Sequence, residues 1–483
     1  MSDVIIIGGG PAGVTAALRA RELGADVTLV EKGRLGGTCI NDGVVPTRVW
    51  ARAARLRRDF EQLSNYGWLA DPPELDYSRL LTRTQQVVYQ VHEKKQLISQ
   101  LETAGVKVHS DTGKAWFSDD HSIQMENGLS LQAEKFILCA GGHARQPSFP
   151  GKEFVLTHHD IWSVDKLPAS IVIAGGGATG CQLATILTAF GCRVWLMEMN
   201  PDILAIEDSQ VSQTMRRALV KRGVDIITGI SGIESVEKSD DEYYLTYTQA
   251  EQSQLIKCQA VILASGWPGN ADELNPQAAG VETRRGYVVV DDHLKTTADH
   301  IFAAGDITGR MMLVQSAGLE ARIAAENAIL TPGQRSYHQI VPHGGFTDPE
   351  YASVGMTEAQ ARASGQEFLV ATTQYADLDR AVIDGFTEGF FKLIVSQENH
   401  RVLGAHAVGE QAVEIIHIIA ASMTADMWVE QLAEMEFSYP TYTAIAGITA
   451  RKAIYALGVM PLAPQWRTLG RSVAAEWERG EGD

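Results

Sequence analysis

Cysteine is scarce in this chain and its placement is uninformative for pairing. The five cysteines, Cys39, Cys139, Cys181, Cys192 and Cys258, are scattered, odd in number and mostly set in apolar runs. No C-x-x-C pair or His/Cys cluster suggests a metal site, so none is expected, and buried free thiols in a reducing compartment are the expectation for all but Cys39. Long apolar runs are missing too: none approaches the ~18 residues that span a bilayer, and no membrane span is expected. Positive charge is the minority, with a formal net charge of −18. That balance argues against nucleic acid or an anionic membrane as partner, because phosphates would be repelled. A first strand expected from about Asp3 leaves no room for a signal peptide, and the expected location is the cytoplasm. What remains is a chain of 483 residues with ordinary apolar content, 45%, too long for one core.

The most informative feature present is an internal near-repeat. Val4 to Glu31 read V-I-I-I-G-G-G-P-A-G-V-T-A-A-L-R-A-R-E-L-G-A-D-V-T-L-V-E, and Ile171 to Glu198 read I-V-I-A-G-G-G-A-T-G-C-Q-L-A-T-I-L-T-A-F-G-C-R-V-W-L-M-E. Each predicts a short apolar strand, a Gly-rich turn, a helix of about four turns and a second strand ending in a carboxylate. Gly8 and Gly175 suit the tight turn, Gly10 and Gly177 the approach of a pyrophosphate, and Gly13 and Gly180 the close packing of helix on strand. Free N–H groups at the helix start then meet the phosphates, and Glu31 and Glu198 would bind the ribose hydroxyls. One such turn is a weak signal; two, each between strand and helix and with the acid at the same offset, predict two dinucleotide sites. Glu198, followed by Met199 and Asn200 without an arginine cluster, favours NADH over NADPH.

Further segments carry a family resemblance. G-G-T-C-I-N-D-G-V-V-P-T-R from Gly36, F-I-L-C-A-G-G-H-A-R-Q-P from Phe136, I-F-A-A-G-D-I from Ile301, L-V-Q-S-A-G-L-E-A from Leu313 and F-T-D-P-E-Y-A-S-V-G-M-T-E-A-Q-A from Phe346 resemble the pyridine nucleotide–disulfide oxidoreductases. The likeness runs from about Val4 to Met460. It implies an α/β fold with two Rossmann-type domains and a C-terminal α+β dimerisation domain. FAD would be held by residues 1–148 with 276–340, NAD(H) by 149–275, and a homodimer formed through 341–465. A tail follows over 466–483, where S-V-A-A-E-W-E-R is compatible with a short amphipathic helix but a frayed polar tail is expected. Alternating apolar strands are expected near Phe390 to Val395 and Val402 to Val408.

By this resemblance FAD meets Gly8, Gly10, Pro11, Ala12, Gly13, Glu31, Lys32, Gly37, Thr38, Arg48, Ala140, Gly141, Gly142, Arg145, Gly305, Asp306, Met312, Leu313, Val314 and Gln315. Asp306 would bind the ribityl chain, and the helix opened by Leu313 would turn its positive end to the flavin. The second dinucleotide meets Gly175, Gly177, Ala178, Thr179, Gly180, Glu198 and Gly266. Ala178, small where many members are bulkier, would leave the nicotinamide face more open.

The departures from the family are equally specific. Its C-x-x-x-x-C disulfide is reduced to Cys39 and Val44, and valine carries no electrons. Its C-terminal H-P-x-x-x-E reads Y-P-T-Y-T-A, so Tyr439 replaces the histidine base and Ala444 its glutamate. A phenol with a pKa near ~10 is a poor base at neutral pH, although it can donate a hydrogen bond to an acceptor or merely fill the dimer seam. Its Lys–Glu pair near flavin N5 becomes Arg48 and Gln182, a fixed cation beside a neutral amide. The expectation is therefore an FAD-dependent NADH:acceptor oxidoreductase, of diaphorase, quinone-reductase or transhydrogenase type, passing electrons directly to a small-molecule acceptor. The alternatives are a Cys39-dependent peroxide or disulfide reductase, since a thiol at a helix start can be reactive, and a redox-sensing flavoprotein of low turnover.

Overall fold

In a computed structural model of the chain, residues 2–459 are described, apart from 70, 72, 331 and 332. The tail over 466–483, expected to be frayed and polar, lies outside the described residues. Two sheets repeat one parallel plan, the first extended beyond Ser130–Leu138 by the antiparallel strands Ser122–Met125 and Ala115–Phe117. In the first, strands order as Lys107–His109, Val27–Val30, Ser2–Ile7 and Ser130–Leu138, with Ile301–Ala303 joining parallel to the last. In the second the order is Asp225–Thr228, Arg193–Glu198, Ser170–Ala174, Ala260–Leu263 and Leu156–Thr157, again all parallel. Both are doubly wound, and such sheets bind ligands beyond the carboxyl ends of their central strands. The central strands are solidly apolar because both faces are covered: Val4 to Ile7 and Ile171 to Ala174 are buried throughout.

The repeat forms as expected, with helices Pro11–Glu22 and Ala178–Ala189 following the two turns. Each has 12 residues, about three turns rather than four. A third helix, Val314–Ile329, packs against Pro11–Glu22 through small residues such as Ala317, Ala321 and Ala324. An antiparallel meander, Ile230–Ser239, Glu242–Gln249 and Gln252–Cys258, covers the second sheet through Val172, Met197 and Val261.

The C-terminal part is a five-stranded antiparallel sheet, ordered His343–Gly345, Glu350–Gly355, Val402–Gly409, Phe390–Ser396 and Phe368–Gln374. Phe390–Ser396 is buried at every position and so departs from the expected alternation. Helices Ala412–Thr424 and Ala444–Ala456 pack on the sheet, while Phe390 and Val408 pack into the core of the second unit. The α/β fold class read from the sequence holds. No helix among the described residues is long and apolar enough to cross a membrane.

Inside that strand sits a lysine. Lys392, 2% exposed, pairs with Asp208 at 2.9 Å and with Glu358 at 2.7 Å, tying the C-terminal sheet to the start of helix Ser209–Lys221. Burial alone pushes the Asp208 carboxyl up, but the Glu358 amide and the Lys392 ammonium outweigh it and hold it below the usual range. Its stabilising share is therefore complete above the unfolded pKa of about 4 and lost as pH falls through the lower folded value. Lys392→Met leaves Asp208 buried without its cation and should cost about 3 kcal/mol. A thermal melt at pH 7 checks the loss, and the gap between variant and parent should narrow as pH falls through the carboxylate range.

Candidate active site

The two Gly-rich turns are built alike down to single atoms. A Cβ on Gly13 would stand 1.7 Å from the Gly8 carbonyl oxygen, and one on Gly180 would stand 1.8 Å from that of Gly175. Only glycine lets each helix settle so close to its strand. Each acid then locks its own turn: the Gly9 amide donates to Glu31 at 2.5 Å, and the Gly176 amide to Glu198 at 2.7 Å. The remaining oxygens accept from the Gly33 amide, and from the Asn200 amide and side chain. The expected ribose-binding acids thus also hold the turns, a role the spacing alone did not suggest.

Gly10 and Gly177 are extended helix caps without any side-chain cap, and the same holds for Leu313 at the third helix. Capping residues alone therefore leave N–H groups of three helix starts unsatisfied, and all three ends line one cavity of about 2110 Å³. A single ligand pocket is typically ~300–1,000 Å³, so there is room for more than one extended molecule. Uncapped helix starts in an elongated cavity fit the pyrophosphates of FAD and a nicotinamide dinucleotide.

Most expected contacts do line this cavity: Gly8, Gly10, Pro11, Ala12, Glu31, Lys32, Gly37, Thr38, Cys39, Ala140, Gly141, Gly142, Gly177, Ala178, Thr179, Gln182, Gly266, Gly305, Asp306 and the run Met312 to Gln315. Val44 lines it as well. Gly13, Gly175, Gly180 and Glu198 shape the turns without lining the space. Lys32 reaches across to Glu273 at 3.2 Å. Arg145 is exposed and bonds Gly266 only through its backbone amide. Tyr439 is also outside the lining of its own chain; its hydroxyl donates to Asp379 at 2.6 Å.

Arg48 and Gln182 are not hydrogen-bonded to each other. Both meet Phe346: the Gln182 carbonyl accepts its amide at 3.1 Å, and the Arg48 guanidinium lies 4.0 Å from its ring centroid. Glu350 stands 4.0 Å from Arg48, so the cation is partly balanced rather than free, and burial draws its pKa down. Arg48 does not itself line the cavity.

Cys39 is half-buried in the five-residue helix Gly37–Asn41. Burial pushes its thiol pKa up, against the pull of Lys95 and with a further push from Asp306. The lowered pKa that a helix start can give is absent, because desolvation outweighs it. All five cysteines are free, and the other four are buried as expected; Cys192 is pushed up to about 12 and Cys258 to about 11 by burial.

Several residues around the cavity escaped the sequence reading. Glu320, fully buried, accepts from the Gly305 amide and from His338, both at 2.7 Å, and so anchors the turn that presents Asp306. The Trp267 indole donates to Asp306 at 2.9 Å; burial raises that carboxyl, and the indole only partly offsets it. His159 donates through Nδ1 to Asp42, between Cys39 and Val44, with His158 and Trp267 stacked alongside. The T-H-H-D run carried no motif, so only the tertiary fold reveals these neighbours.

The glycine geometry makes a paired forecast. Gly13→Ala should cut the FAD content of purified protein by about 10-fold, whereas Gly180→Ala should leave FAD in place and weaken NADH binding by about 10-fold. Flavin absorbance per polypeptide and NADH titration of tryptophan fluorescence distinguish the two.

Comparison with known proteins agrees with this geometry. Residues 2–321 match the family model described as pyridine nucleotide-disulphide oxidoreductase, and residues 341–447 match the dimerisation domain of the same family. A dihydrolipoyl dehydrogenase of Staphylococcus aureus is 32% identical over 465 residues, covering 94% of this chain and 97% of its own. A mercuric reductase of Lysinibacillus sphaericus is 30% identical over 463 residues, covering 94% and 84%. Among solved structures, the HOCl-induced flavoprotein disulfide reductase RclA from Escherichia coli superimposes with a TM-score of 0.82 at 29% identity, over 93% of this chain and 99% of that one. With two glycine turns, three uncapped helix starts and both family regions in register, the chain belongs to the pyridine nucleotide–disulphide oxidoreductases, a family of FAD-dependent oxidoreductases that use a pyridine nucleotide.

Proposed function

We propose that this member is an NADH:acceptor oxidoreductase that passes electrons to a small-molecule acceptor without a redox disulfide. One observation carries the reading: the cavity wall holds Cys39 followed, five residues on, by Val44. Valine there cannot form an internal disulfide, and Cys139, which also reaches the cavity, is a buried free thiol packed beside Gly8 and Gly13. FAD held there would supply the two-electron redox chemistry that links NADH to the acceptor.

The chain's own residues would bind and orient. The helix starts at Gly10 and Gly177 hold the phosphates. Val314–Ile329 turns its positive end into the cavity, favouring negative charge there, and Asp306 stands as acceptor for the ribityl hydroxyls. Residues 1–148 with 276–340 would hold FAD and 149–275 NADH, while 341–465 would join a homodimer that brings Tyr439 to the partner's site. The cytoplasm is the proposed location.

The relatives' names favour a second reading, in which Cys39 attacks a disulfide or peroxide. The two differ in what Cys39→Ser does. Direct transfer expects turnover with an artificial dye within about twofold of the parent, and no turnover of lipoamide or glutathione disulfide by either protein. Loss of dye turnover in Cys39→Ser, or rapid reduction of either disulfide, would favour the thiol route.

Glu198 supports NADH as the reductant, since its carboxylate repels a 2′-phosphate. Glu198→Gln keeps an acceptor for the Gly176 amide while removing the charge. The ratio of kcat/KM for NADH over NADPH should fall by about 10-fold, and an unchanged ratio would remove the basis for this preference.

A further inference from the structure

The departures from the family include a group that the lost disulfide does not account for. Asp42 lies between Cys39 and Val44, in the segment where relatives carry their two sulfurs. Its Oδ2 accepts from His159 Nδ1, and its backbone carbonyl accepts from the Trp162 indole at 2.6 Å. Its Oδ1 is buried without a partner among the described residues. A carboxylate can only accept, so the Nδ1 proton is fixed and Nε2 becomes the exchangeable site. Nε2 has no hydrogen-bond partner among the described residues, and the ring lines the cavity.

The His159 turn is itself held. Asp160 accepts from both the amide and the hydroxyl of Thr157, at 2.7 and 2.8 Å. Aromatic rings neighbour the pair: the His158 and Trp267 rings lie 4.1 and 6.1 Å from that of His159, and the Trp162 indole donates to the Asp42 carbonyl. Flat walls around a proton-bearing nitrogen suit a planar aromatic carbonyl compound better than a metal or a peptide; among the described residues no cluster suited to a metal ion occurs.

We propose that His159, oriented by Asp42, is the proton donor for a quinone-type acceptor, taking over the acid–base work that Tyr439 cannot do. This rests on the direct-transfer reading above. Reduction follows NADH + H⁺ + quinone → NAD⁺ + hydroquinone. The hydride of NADH supplies both electrons and one hydrogen. The second hydrogen leaves Nε2 of protonated His159 for a quinone oxygen, whose C=O double bond becomes a C–O single bond as the O–H bond forms. Neutral His159 recovers its proton from water.

The two adjacent histidines are driven apart, a pattern that marks acid–base assignments. Asp42 raises His159 above the ordinary imidazole value against the opposing effect of burial, with Asp160 adding to the rise and Lys32 reducing it. Burial, then the neighbouring His159, lowers His158 to about 4, so it stays neutral at pH 7. Of these two adjacent histidines, His159 is the one suited to carry a proton.

The test compares the FAD-loaded parent with His159→Gln and Asp42→Asn, using 1,4-naphthoquinone and ferricyanide as acceptors. Ferricyanide takes electrons without protons. The ratio of quinone to ferricyanide turnover should fall by about 100-fold in His159→Gln; equal ratios in parent and variant overturn the proposal while leaving direct transfer standing. Naphthoquinone turnover absent from the parent itself would instead sink the reading on which the proposal rests. A readout independent of turnover is histidine-selective ¹³C NMR, with the His159 signal identified by its absence in His159→Gln. Its midpoint should lie above the ordinary ~6.5 and drop in Asp42→Asn. A midpoint unaffected by Asp42→Asn contradicts the pairing.

Discussion

Each nucleotide-binding turn depends on one small hydrogen bond, made twice. The middle glycine amide donates to the carboxylate that ends the next strand, Gly9 to Glu31 and Gly176 to Glu198. That bond fixes the turn, no side chain caps the following helix, and its free amides suit the proposed phosphates. Because Gly13 and Gly180 carry no Cβ, each helix start stays close to its strand. Loss of either feature would tilt the helix and close the phosphate cradle. The third uncapped helix, begun by Leu313, brings its end to the same cavity through packing against the first.

Upon that binding frame the chemistry is set by what touches the cavity wall. Relatives named as disulfide or mercuric reductases share the frame, so frame alone does not select the electron acceptor. The wall here carries Cys39, its thiol pKa pushed up by burial, a hydrocarbon at position 44, and the hydrogen-bonded pair Asp42 and His159. Arg48, read from the sequence as a fixed cation beside Gln182, stacks on Phe346 with Glu350 4.0 Å away. Among these groups the uncapped start of Val314–Ile329 lines the cavity, whereas Arg48 does not.

The repeat and both dinucleotide turns were legible in the sequence because their constraints are local: a glycine without a Cβ, a helix start, an acid at fixed spacing. The parallel sheets followed from the same pattern. Legibility ended where partners come from distant segments. Glu320 under Gly305, Trp267 on Asp306 and His159 on Asp42 are joined across 15, 39 and 117 positions, and no spacing rule connects them. The expected alternation at Phe390–Ser396 failed for a related reason, since helices and the second unit cover both faces of that strand. The sequence offered a Cys39 thiol made reactive by its helix start, whereas burial pushes its pKa up.

Electron count under anaerobic conditions tests the central claim most directly. NADH should be titrated into the FAD-loaded protein and the flavin followed by absorbance. Direct transfer expects full bleaching at two electrons per subunit, with no long-wavelength thiolate–flavin band at any point. Uptake of four electrons with such a band would show a second redox couple beside the flavin and contradict it.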